Sequence, residues 1–335
     1  MGRTALRRII DADDLELAGV YVYGSKKAGT DAGALAKRGD TGILATNDRD
    51  AIIATQADVV VHCPRITLPY DALVDDVVAL LESGKNVVSI AGFHWPDAQG
   101  DAYAARLRDA ALRGGVTLAG VGVNPGMVVE RIALAASAMS HDLDRMSVFE
   151  TVDASAMESP EFVFGLMGLG SDPEEKDIRE GPLATLYSTL FSEVLHFFAA
   201  QLGGSVTRID PDHRLTLAPH DIETKAGAIA KGTVAATEWR WTAYTDQGPQ
   251  LLLSILWTAD TSLHGDDRQG HWTIRLDGRP NIRMTLDIEE PDPAKPPSRA
   301  LTDATVAVAI NAIPHVVAAP PGLFAFQPPA AWRKA

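Results

Sequence analysis

Residues 69–92 read PYDALVDDVVALLESGKNVVSIAG. Leu73, Val77, Leu80 and Leu81 fall on one stripe of a helix, and Gly84 stands where a left-handed cap would end it. NVVSIAG (86–92) follows at once, rich in β-branched residues and apolar on both faces. A run of that kind reads as a parallel strand covered on both sides. Helix, cap and buried strand in so short a span is the grammar of a βαβ unit.

The same grammar extends in both directions. DAYAARLRDAALRGG (101–115) repeats the apolar stripe and closes on Gly114 and Gly115, and VTLAGVGV (116–123) repeats the strand. Upstream, ADVVVHC (57–63) and LELAGVYVY (15–23) read as two further strands. Repeated βαβ units imply an α/β fold with a doubly wound, Rossmann-type parallel sheet. After Gly126 the pattern changes. A helix over 127–140 leads into the strand-like MSVFETVDAS (146–155), a glycine- and acid-bearing loop (165–181), and an amphipathic helix near 182–202. Two alternating stretches, 233–260 and 270–290, each contain a turn signal, DQG or DGRP. The proline-rich PDPAKPPS (291–298) precedes a last helix over 301–313. The expected domains are therefore 1–126 for dinucleotide binding, 127–290 as an α+β substrate and oligomerisation domain, and 291–335 as linker and C-terminal helix.

Composition excludes several functions. The chain has 335 residues, 46% hydrophobic and 22% charged, which suits a soluble protein of more than one domain. A net charge of −14 leaves no basic surplus for nucleic-acid backbones. The single cysteine, Cys63, allows no internal disulfide and points to a reducing, cytoplasmic setting. No apolar run reads as a membrane span, and no His/Cys cluster has metal spacing.

Three stretches, LESGKNVVSIAG (81–92), GVNPGMVVERIAL (122–134) and NAIPHVVAAPPGL (311–323), carry a family resemblance over nearly the whole chain. It resembles the dihydrodipicolinate-reductase-like oxidoreductases that include 2,4-diaminopentanoate dehydrogenase and the native amine dehydrogenases. The resemblance implies an NAD(P)-binding Rossmann domain, a central α/β substrate domain, a C-terminal helix returning to the first domain, and a homodimer. The implied reaction moves a hydride to or from a small carbonyl, imine or amine. Two departures bear on chemistry. No two histidines are adjacent, so the His-His-x-x-Lys run of dihydrodipicolinate reductases is missing. Where amine-forming relatives place a glutamate after the NVVS strand, this chain has Gly92, Phe93 and His94.

Strand ends supply most of the candidate site residues. His94 stands at a strand's carboxyl end and can exchange a proton near neutral pH, or it can simply pack beside Trp95. Phe93, His94 and Asn124 are the substrate-facing candidates. Asn124, Pro125 and Gly126 join the last Rossmann strand to the next helix, and the resemblance places them beside the nicotinamide at the domain cleft. Cys63, Pro64 and Arg65 end another strand, where open α/β sheets bind ligands. Cys63 reads as a small packing residue, and Arg65 as a phosphate contact or a solvated side chain. Ser25, Lys26 and Lys27 follow the strand 15–23 with no acid before Asp31. A carboxylate there would hold a ribose 2′-hydroxyl and basic residues a 2′-phosphate, so NADP is preferred over NAD.

Gly2, Arg3 and Thr4 open a helix whose free N–H groups suit a pyrophosphate. Gly2 corresponds to the third glycine of G-x-G-x-x-G, with the first strand and two glycines absent from this sequence. The expectation is an upstream reading frame encoding on the order of ten more residues, ending in Gly-x-Gly. Two other readings compete. One is a catalytically degenerate homologue that binds a metabolite or only dimerises. The other, the glucose-fructose-oxidoreductase-like enzymes, usually carries Glu-Lys-Pro where this chain has SIAGF.

Overall fold

The computed structural model describes residues 1–175, 177–265, 270–328 and 330–333. The chain divides into two compact units, Met1–Val123 with Thr302–Ala325, and Asn124–Leu301 with Phe326–Ala335.

In the first unit, α1 (Gly2–Ile10), α2 (Ala32–Ala36) and α3 (Arg49–Ala54) precede the strand β1 (Val59–His62). Then come α4 (Val74–Glu82), β2 (Asn86–Ser89), α5 (Asp101–Gly114) and β3 (Thr117–Gly120). The stripe expected on 69–85 is real. Val74, Val77, Leu80 and Leu81 of α4 bury against Leu107, Ala110 and Ala111 of α5 and against Val87 and Leu118. Both helices stop on left-handed glycines, Gly84 with φ 83° and Gly115 with φ 66°. The late strand β13 (Gly322–Phe324) returns to this unit, giving a parallel sheet in the order β1-β2-β3-β13. Parallel strands with helical crossovers make this a Rossmann-type sheet.

The segment 15–23 departs from its reading as a strand. It makes only an isolated bridge, Tyr21 with Thr46, supported by Val22 N–H donating to Thr46 O at 2.9 Å and Thr46 N–H donating to Val20 O at 2.9 Å. A strand is a pairing rather than a composition, and among the described residues this segment forms no ladder. A cavity of 840 Å³ is lined there by Leu17–Gly24 and by Val59–His62 of β1.

The second unit begins with a π-helical turn, Val123–Ala133, whose first residues Asn124, Pro125 and Gly126 are not helical. Gly126 has φ 122°, a backbone position a side chain rarely tolerates. The short α6 (Leu134–Ala136) follows, and then β4 (Asp142–Asp153), α7 (Pro182–Gln201), β5 (Val206–Pro211), β6 (Arg214–Leu217), β7 (Ile222–Thr224) and β8 (Gly227–Ile229). The long hairpin of β9 (Val234–Thr245) and β10 (Gln250–Thr258) comes next, then β11 (Trp272–Arg279) and β12 (Ile282–Leu286). β7 and β8 pair with each other as a separate hairpin, and the other seven strands build a mixed sheet, β12-β11-β4-β10-β9-β5, with β6 also on β9 and only β4 and β10 parallel. The DGRP signal falls inside β11, as a register shift at Asp277 and Gly278, and the chain reverses at Pro280.

Alternation along β9 sets the two faces of this sheet. Trp239 and Trp241 point to the core, whereas Glu238 and Arg240 pair with each other at 3.0 Å. Tyr187 and Phe191 of α7 pack on the tryptophans, Tyr187 edge-on to Trp239 at 5.8 Å and Phe191 at 5.1 Å from Trp241. Such ring contacts are worth about 0.5–1.5 kcal/mol each beyond area burial. Trp241 Nε1 donates to Ser188 Oγ at 2.9 Å, so the buried indole loses no hydrogen bond. The last helix, α8 (Ser298–Val317), crosses from the second unit's residues into the first's. Contrary to the reading that no stretch resembles a membrane span, α7 and α8 are each 20 residues long and apolar enough to cross one by length and composition. For α7 the apolarity is explained by the aromatic packing just described.

Candidate functional site

The first unit gathers part of the expected cofactor set around its cavity. Gly2 and Arg3 of α1, Lys27, Cys63 and Pro64 all line it, as does Gly24. Thr4, Ser25, Lys26 and Arg65 do not. At the N-terminus of α1, the cap residue Met1 offers no side-chain hydrogen bond, and no acid occupies the first turn. The leading N–H groups are therefore available to an anion, as a dinucleotide pyrophosphate requires. Ser25, Lys26 and Lys27 form an exposed 3₁₀ turn. The nearest downstream acid, Asp31, is committed elsewhere: it caps α2 by accepting from Gly33 N–H at 2.7 Å and also accepts from Thr41 Oγ1 at 3.1 Å. These residues fit a nicotinamide dinucleotide on the phosphate side.

Cys63 is half-buried. Burial pushes its thiol up to about 11, so the thiolate is scarce at neutral pH. Alkylation by iodoacetamide at pH 7.5 is expected to be slower for the folded protein than for the denatured chain, by mass spectrometry.

His94 is buried at 4% exposure, in the loop leaving β2. That loop holds an unusual backbone. Gly92 has φ 96° and Phe93 φ 68°, the latter a left-handed conformation that a bulky residue enters at a cost of about 1–3 kcal/mol. Gly120, at the end of β3, has no Cβ because one would collide with the backbone of Gly92, Phe93 and His94. The close approach of β3 thus fixes where His94 begins. At the carboxyl ends of β1 and β2 lies a buried hydrogen-bonded pair the sequence reading did not nominate. His62 Nδ1 and Ser89 Oγ share a hydrogen bond of 3.0 Å, and burial holds His62 down at about 4.

In the second unit, Asn124 is tied to a residue that sequence reasoning also missed. Its Nδ2 donates to Glu150 Oε2, and Trp272 Nε1 donates to the same oxygen at 3.0 Å. Glu150 Oε1 lies 3.8 Å from His271 Nε2, with the two side chains only 14% and 18% exposed. Glu150 shares its strand parity with Met146 and Val148, which are 1% and 2% exposed. A carboxylate at a core-facing position was the available signal. Pro125 is partly buried and Gly126 buried beside Asn124. Among the described residues, no group of three or more His, Cys, Asp or Glu could hold a metal ion.

Comparison with known proteins identifies the family. Residues 127–330 match the 2,4-diaminopentanoate dehydrogenase C-terminal domain. The chain belongs to the 2,4-diaminopentanoate dehydrogenase family. An amine dehydrogenase of Streptomyces virginiae is 25% identical over 336 residues, covering 97% of this chain and 92% of that protein. The 2,4-diaminopentanoate dehydrogenase of Acetoanaerobium sticklandii is 24% identical over 283 residues, 82% of this chain and 74% of that protein. The structure of an amine dehydrogenase from Mycobacterium smegmatis shares the fold at TM-score 0.73 and 21% identity, covering 97% of this chain and 91% of its own. This member of the family is an oxidoreductase, and its relatives imply a nicotinamide cofactor.

Proposed function

We propose that the protein is an NADP(H)-preferring oxidoreductase that interconverts a small amine with its imine or carbonyl partner. The observation that carries this reading is the family match, joined to a Rossmann-type unit with an uncapped helix N-terminus on a cavity. Bound cofactor supplies or accepts the hydride. The chain supplies the rest. Gly2 and Arg3 face the pyrophosphate, and Lys26 and Lys27 meet the ribose 2′-phosphate. His94 gives or takes the substrate's proton, and Phe93 and Asn124 face the substrate. We assign residues 1–126 to cofactor binding, 127–290 to substrate binding and dimer formation, and 291–335 to the linker and C-terminal helix. The working form is a cytoplasmic homodimer, in keeping with the single cysteine.

Cofactor preference gives the first test. NADPH is expected to bind more tightly than NADH, because the two lysines are exposed, no acid lies between them and Asp31 in sequence, and Asp31 is occupied as a helix cap. Replacing Lys26 and Lys27 together by alanine should weaken NADPH about tenfold and leave NADH nearly unchanged, the scale of one or two charge-assisted contacts. Nicotinamide fluorescence titration measures both. A preference for NADH, or an unchanged ratio in the double variant, would reject the assignment.

A further inference from the structure

The cavity of the first unit runs between two backbones whose facing edges are unpaired. β1 stands at one end of the order β1-β2-β3-β13, so its outer edge meets no strand among the described residues. Register decides which groups that edge carries. Asn86 N–H donates to Asp58 O at 3.0 Å and Ile90 N–H to His62 O at 3.1 Å, with Val59 opposite Asn86 and Val61 opposite Val88. Residues 58, 60 and 62 therefore turn to β2. By strand alternation Val59 and Val61 turn their N–H and C=O groups outward.

Residues 15–23 mirror this edge. Val20 O and Val22 N–H are both taken by Thr46, at 2.9 Å each. Tyr21, between them, then holds its N–H and C=O on the opposite side. Val59, Val61 and Tyr21 all line the 840 Å³ cavity. Exposed edge strands are commonly blunted by lysine, proline or a bulge. β1 instead offers Val59, Val60 and Val61 in succession, each only half-buried.

Two separate core clusters open onto the same space. Leu6 belongs to the cluster that packs Leu17 and Val20, and Leu80 to the one that packs Val60 and Ile53; all six line the cavity. An occupant must therefore be apolar on both of its faces. Size agrees. A strand of about five or six residues is roughly 17–20 Å long; with about 4.8 Å between strands and about 10 Å between packed layers, it fills roughly 800–1,000 Å³. The end of the cavity at Gly2, Arg3 and Cys63 is the cofactor side described above, and the body between β1 and residues 17–22 is distinct from it.

We propose that the body of this cavity is a binding site for a separate peptide in extended conformation, about six residues long and apolar on both faces. It pairs with β1 on one side and with residues 19–23 on the other. A peptide backbone presents N–H and C=O groups alternately on two opposite sides, so the two unpaired edges select this ligand over a lipid or a small apolar molecule. The inference is independent of the amine reading.

The test uses the full chain and a synthetic probe of about six alternating valines and isoleucines between flanking lysines. A control peptide keeps the same side chains but is N-methylated at alternate residues, which removes the donors of one edge. In calorimetric titration the control should bind at least about tenfold more weakly, the scale of a few lost hydrogen bonds. Saturating probe should slow amide exchange at least about tenfold in both 19–23 and 59–61, read by mass spectrometry. NADPH should leave the probe bound. No binding, equal affinity for the two peptides, or unchanged exchange in either segment would overturn the site. Protection of 59–61 alone would mean simple addition to the β1 edge, and displacement by NADPH would make the whole cavity a cofactor site; each rejects the proposal. A dimer that the probe splits into monomers would put a second copy of this chain in the cavity, and rejects it equally.

Discussion

Replacing His94 by alanine is expected to lower amine turnover by about two to four powers of ten, with cofactor affinity unchanged within about twofold. General acid–base groups contribute on that scale, and a histidine's ordinary pKa lies close to working pH. The backbone around His94 points the same way. Phe93 is held left-handed at φ 68°, and Gly120 is kept bare so that Gly92–His94 can lie against it. Strain of this kind persists only where the surroundings impose it, and it collects at functional positions.

A packing histidine would behave differently. Its loss would lower the melting temperature, and activity would fall only with the folded fraction. The measurement is therefore steady-state kinetics beside thermal melting, on His94→Ala and on the size-preserving His94→Gln. Folded variants that bind NADPH normally yet turn over slowly, with one limb of the kcat–pH profile lost, support proton transfer. Normal turnover in either variant makes His94 a packing residue.

How far the sequence reaches is clear from particular elements. The α4–β2 and α5–β3 units were legible because local signals agree: an apolar stripe, a left-handed glycine and a β-branched run. The β9–β10 hairpin was legible because alternation and DQG coincide. Residues 15–23 misled, since β-branched and aromatic content describes a side-chain preference while a strand requires a partner's backbone. The parallel pairing of β4 with β10 joins segments about a hundred residues apart and leaves no local trace. The short strands β5 to β8 carry too few apolar residues to stand out. For the site, strand ends before glycine and proline could be nominated in advance, and Cys63, His94 and Asn124 were nominated on that ground. Glu150 and His62 are single polar residues inside apolar runs. Each matters through a partner distant in sequence, Asn124 for one and Ser89 for the other.

His62 also sets an expectation for acid stability. His62 is 7% exposed at the end of β1, its Nδ1 is engaged with Ser89, and its Nε2 is buried with no hydrogen-bond partner among the described residues. Desolvation lowers its pKa from 6.5 to about 4, opposed only by the more distant charge of Asp76. The folded protein therefore keeps His62 neutral in a range where the unfolded chain protonates it. Below pH 6.5 the unfolded state binds the extra proton, so stability falls as pH falls. The loss should reach about 2 kcal/mol at pH 5 and about 3 kcal/mol at pH 4, levelling off only below the folded-state pKa, because a tenfold change in proton affinity is worth about 1.4 kcal/mol. The capping and ion-paired carboxylates act in a lower window, because Asp11, Asp177, Asp212, Asp246 and Asp260 are all held below the usual 3.8. His213, also lowered by burial, contributes with the same sign as His62, so a variant is needed to separate them. Urea unfolding at pH 7.5 and pH 5 should show the wild type losing this stability and His62→Asn losing about 2 kcal/mol less. Equal losses in the two proteins would mean that the folded state accepts the proton on His62 without penalty.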